Sequence, residues 1–70
     1  MNDETVAELR KITAPYGRDI GLYTVEHESG LSLLRIRIRE GNRFTILDID
    51  RDTATQLAAA MSAWANSADQ

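Results

Sequence analysis

The sequence has no cysteine, a single proline, a single lysine and no uninterrupted apolar run longer than the five residues Leu57–Met61. Without thiols, neither a disulfide nor a thiolate metal site can supplement the core. The lack of cysteine also suits a reducing, cytoplasmic setting. A run of five is far short of the roughly 20 apolar residues that a membrane helix needs. The opening Met1-Asn2-Asp3-Glu4 is acidic where a secretory signal would be basic. Basic excess is missing too: net charge is −3 and the pI about 4.9, against the balance of a dedicated nucleic-acid binder. The four glycines, at 17, 21, 30 and 41, are scattered, so no phosphate-cradling loop is present.

What remains is an ordinary globular composition, 43% hydrophobic and 27% charged. Seventy residues make one small domain over 1–70, and a chain of that length buries only about 60% of its unfolded surface. It must hold together by packing, on itself or on a partner.

The first segment supports two readings. Val6, Leu9 and Ile12 repeat at helical spacing behind Asp3, a fair N-cap, and Pro15 would end a helix over 3–13. The alternative is an added edge strand turning at Pro15-Tyr16-Gly17. Residues 1–14 are a candidate mobile segment, and 67–70 are expected to fray. From Ile20 to His27 the chain is rich in β-branched residues. Leu34, Ile36 and Ile38 then alternate with Arg35, Arg37 and Arg39, a period-2 strand signal. Gly41-Asn42 suits a two-residue hairpin turn into the next strand, Arg43 to Ile49. Asp50 can cap a helix over about 51–66, whose Ala54, Leu57, Ala58, Met61, Trp64, Ala65 and Ala68 share one face.

The turns suggest a register. A Gly41-Asn42 loop pairs Glu40 with Arg43 and puts Leu34, Ile36, Ile38, Leu47 and Ile49 on one face. A two-residue Ser29-Gly30 loop would add Val25, Tyr23 and Gly21 to that face, under the helix, with Trp64 as a core anchor. The other face would then carry Ile20, Leu22, Leu33, Phe44 and Ile46 among Arg35, Arg37 and Arg39. That face is too apolar to be merely solvated, and these eight residues form the candidate interface.

Other motifs have structural explanations. The arginine row could grip phosphates or single-stranded nucleic acid, but Arg35 is expected opposite Asp48, with Glu26 nearby, so cross-strand ion pairs can absorb some of the charge. Asp48, Asp50 and Asp52 look like a calcium loop until its sixth and twelfth positions turn out to be Thr53 and Ala59. His27 is the only histidine; as a general base it would lack a plausible nucleophile.

Two stretches, Pro15-Tyr16-Gly17-Arg18 leading to Glu28-Ser29-Gly30-Leu31, and Arg37 to Gly41 running through Phe44-Thr45 to Trp64-Ala65, resemble small bacterial domains of unknown function. The resemblance covers most of the chain, rests on turn and core chemistry, and implies no activity.

The sequence therefore predicts an α+β fold: a three-stranded antiparallel meander with the C-terminal helix packed on one face, plus a short N-terminal helix or added edge strand. The expected function is a non-enzymatic interaction module of the cytoplasm. Its expected partner is a second copy or another protein, with neither a membrane nor a cofactor involved. Weak anion or RNA binding through the arginine row is the alternative.

Overall fold

A computed structural model describes residues 4–67. Four strands, β1 (Glu4–Ala14), β2 (Arg18–His27), β3 (Ser32–Glu40) and β4 (Arg43–Ile49), precede one helix, α1 (Arg51–Asn66). The strands form one antiparallel sheet in the order β1-β2-β3-β4. The chain is α+β, but the three-stranded meander is corrected to a four-stranded one. Residues 4–14 form an edge strand and not a helix. A ten-residue helix would be marginal alone, whereas β1 draws its backbone partners from β2. A β-bulge between Glu8 and Arg10 adds Leu9 to this strand. The bulge resets the alternation, so the apolar residues recur at a spacing that mimics a helix. Residues 1–3, and most of the end expected to fray, lie outside the described residues.

The β3–β4 hairpin has the expected two-residue turn. Glu40 pairs with Arg43 and Gly41 sits at φ 61°. The β2–β3 hairpin differs. Its loop is the three residues Glu28-Ser29-Gly30, closed by the His27 N–H donating to the Leu31 carbonyl, with Gly30 at φ 95°. A left-handed glycine in third place is the usual end of a three-residue hairpin loop. The extra residue shifts the register by one and turns β2 over. Ile20 opposes Ile38 and Leu22 opposes Ile36, while Tyr23 opposes Arg35 and Val25 opposes Leu33.

The helix begins where the sequence places it. The Asp50 side chain accepts a 2.9 Å hydrogen bond from the Thr53 backbone N–H. It does not pack on the sheet as expected. No helix residue is buried; Met61 is 61% exposed and Trp64 75%. Among the described residues, Val25 and Ile49 are the only buried hydrophobic side chains. With extents of 50 × 30 × 15 Å, the molecule is little more than one layer thick, since stacked layers sit about 10 Å apart.

Candidate interaction surface

The register sorts the side chains onto two unlike faces. One has an aliphatic centre: Ile12 of β1 beside Ile20, Leu22 beside Ile36, and Leu34 beside Ile49, with Ile38 and Leu47 on the same side and Arg10, Arg18, Glu40 and Arg43 around it. The centre of this face is half-buried, but Leu47 and Ile12 at its margins are exposed. A cleft lined by Leu9, Thr24, Leu34, Ala54 and Thr55 separates it from the first turns of α1. Beyond that cleft the stripe of Leu57, Met61 and Trp64 is uncovered.

The other face carries ion pairs and aromatic rings among Val6, the buried Val25, Leu33 and Ile46. Arg35 holds Asp48 with both ends of its guanidinium, Nε to Oδ1 at 2.8 Å and Nη2 to Oδ2 at 2.9 Å. The same Nη2 lies 3.6 Å from Glu4 on β1, so Arg35 bridges three strands across β2. Its hydrogen bond to Asp48 raises the Arg35 pKa and holds the Asp48 carboxyl below its ordinary value. Arg39 pairs with Asp19. At the same end of the sheet, but on the aliphatic face, Arg18 pairs with Glu40, and that hydrogen bond lowers the Glu40 pKa. Arg37 stacks on Phe44, its Cζ 4.5 Å from the ring centroid, and has no carboxylate within 4 Å among the described residues. Tyr23 also belongs to this face, opposite Arg35, and its ring lies over Gly21: a Cβ there would meet the phenolic oxygen at 2.7 Å. The close approach at Gly21 thus comes from its own strand.

The eight candidate interface residues therefore do not form one surface. Leu33, Arg35, Arg37, Arg39, Phe44 and Ile46 share the ion-paired face, while Ile20 and Leu22 belong to the aliphatic face. Purity of segregation was the available signal. The three-residue loop gathers Ile20 and Leu22 with the apolar residues of β3 and β4, where the two-residue loop gathers Gly21 and Tyr23. Trp64, expected as a core anchor, is open instead. The three aspartates at 48, 50 and 52 are engaged separately, with Arg35, with the helix N-terminus and with Gln56 Nε2 at 3.0 Å. No helix among the described residues is long and apolar enough to cross a membrane.

No curated protein and no solved structure matches the chain. Residues 3–67 match the model of a family of unknown function, DUF6967, and the chain belongs to that family.

Proposed function

We propose that this chain is a non-enzymatic protein-interaction module of the bacterial cytoplasm, and that it homodimerises through the aliphatic sheet face. The observation that carries the reading is the exposure of Ile12 and Leu47 around a half-buried aliphatic centre, where only two hydrophobic side chains among the described residues are buried. Contiguous apolar patches of this kind mark interaction sites, and the hydrophobic face of a sheet must be buried against another element. The chain has no thiol to substitute for packing, so a second layer must come from elsewhere.

Sedimentation of the purified chain tests this. A dimer mass is expected at tens of micromolar, and Leu47→Asp should shift it toward monomer. A folded wild-type monomer at that concentration defeats the proposal.

A second reading, anion or RNA binding, draws support from the ion-paired face. Tyr23 and Phe44 lie with the arginines there, and Arg37 is stacked on Phe44 with no ion-pair partner among the described residues. Stacking platforms beside cations are how single strands are held. Arg35 and Arg39 are already paired, which leaves this the weaker reading. Binding to a single-stranded oligonucleotide that weakens steeply with added salt would support it; no binding at low salt would remove it.

A further inference from the structure

We infer that the helix of each copy lies across the aliphatic sheet face of the other, so that the second layer of the fold is supplied in trans. This rests on the dimer reading and goes beyond it by naming what covers what.

Three quantities place the missing layer outside the chain. The accessible surface is 5725 Å², where a compact chain of 7.8 kDa exposes about 4,400 Å². The radius of gyration is 14.3 Å, against about 11 Å for a compact 70-residue domain. The long extent of 50 Å exceeds the roughly 33 Å of a ten-residue strand, so the helix projects past the sheet instead of lying along it. A single residue, Asp50, joins β4 to α1, and its backbone is extended, with φ −87° and ψ 177°. That joint sends the helix onward.

The helix is not made for water. From Thr53 to Asn66 it carries no charged residue, while a solvent-facing helix ordinarily has a charged or strongly polar side. Its stripe of Leu57, Met61 and Trp64 needs an apolar partner, and the aliphatic sheet face needs a cover. Pairing sheet with sheet would leave both helices bare, and pairing helix with helix would leave both sheets bare. Exchange across a two-fold axis satisfies both surfaces at once, because a self-complementary interface sets each patch against its complement twice. The excess surface of the two chains, about 2,600 Å² together, falls within the roughly 2,000–5,000 Å² of obligate homodimers.

The only tryptophan, Trp64, sits on the helix, and the chain has no cysteine, so both make clean reporters. A chain carrying Trp64→Phe and Thr45→Cys, labelled with a nitroxide quencher, is mixed in excess with wild type and allowed to exchange. Thr45 is exposed on the aliphatic face, opposite Ile38. The labelled chain has no tryptophan, so any quenching passes between copies. Trp64 is expected to lose most of its emission. The same label at Thr13, on the opposite face, should leave the emission nearly unchanged. If Thr45 labelling blocks assembly by sedimentation, Ala7→Cys, exposed on the aliphatic face opposite Thr24, takes its place. Mixed dimers with unquenched Trp64, or equal quenching from both faces, overturn the exchange but leave the dimer standing. A monomeric wild type overturns both.

Discussion

At the residue scale, the Gly21–Tyr23 pair shows how an open sheet protects its own weak point. Glycine in a strand leaves a bare stretch of backbone; here the Tyr23 ring, two residues on, covers it, an aromatic shielding of glycine also used in designed sheets. Gly21→Ala places a methyl group 2.7–3.0 Å from three atoms of that ring, and displacing it should cost about 1 kcal/mol, at the low end of overpacking penalties. In a Tyr23→Ala background the same substitution should be neutral or slightly stabilising, because alanine suits a strand better than glycine. A denaturation double-mutant cycle reads the difference, and additive effects would mean that the ring does not rest on Gly21.

The carboxylates make a second residue-level prediction. Asp48, Glu40 and Asp50 all have lowered pKa values, through hydrogen bonds from Arg35, from Arg18, and from Thr53 by its side chain first and its backbone N–H second. A carboxyl whose pKa is lower folded than unfolded stabilises the fold above the unfolded value, and that stability is lost as pH falls through the folded one. Stability should therefore be nearly flat from about pH 6 to 8 and decline below about pH 4, where ordinary carboxylates begin to protonate. Exposure keeps each contribution small. Thermal melts of wild type and Asp48→Asn test this: the variant should lose part of the acid-side slope.

At the element scale, the turns govern which face each strand presents. Gly41, at φ 61°, lets the β3–β4 loop close in two residues, and Gly30, at φ 95°, ends the β2–β3 loop in three. Both glycines are in the left-handed region, which a β-branched side chain resists. Gly41→Val should cost roughly 1–3 kcal/mol of backbone strain, read as a lower denaturation midpoint with an unchanged slope. A changed slope would mean that the hairpin rearranges instead of straining. Tyr16 is the exception among the turns: a non-glycine residue at φ 66°, it is held between Pro15 and Gly17 in the β1–β2 loop, fully in solvent but for Arg18, 5.9 Å from its ring.

At the scale of the whole molecule, folding and association become one equilibrium. When the second layer belongs to another copy, the melting midpoint rises with protein concentration, as for any species whose folded form binds and whose unfolded form does not. Trp64→Ala should then lower stability by about 3–5 kcal/mol, the cost of truncating a buried aromatic, and the loss should be largest where wild type is assembled. A concentration-independent melt would show a chain that is stable alone, with an exposed Trp64 that contributes little.

Much of this protein was legible from local chemistry alone. The period-2 run from Leu34 to Ile38, the Gly41-Asn42 turn, the Asp50 cap and the extent of the helix depend on residues within a few positions of one another, and the structure agrees at each. The arginine row with its Asp48 partner was legible for the same reason, because one correct turn sets the β3–β4 register. Three matters were decided only by tertiary structure. Residues 4–14 have helical spacing and strand-forming residues together, and only an available edge on β2 makes the strand win. The face shown by β2 depends on whether its loop has two or three residues, a one-residue difference that moves every side chain across the sheet. That is why Ile20 and Leu22 join the aliphatic face instead of the arginines. The position of the helix is the third: its stripe declares that it must be buried, but periodicity is blind to which surface, or which chain, does the burying.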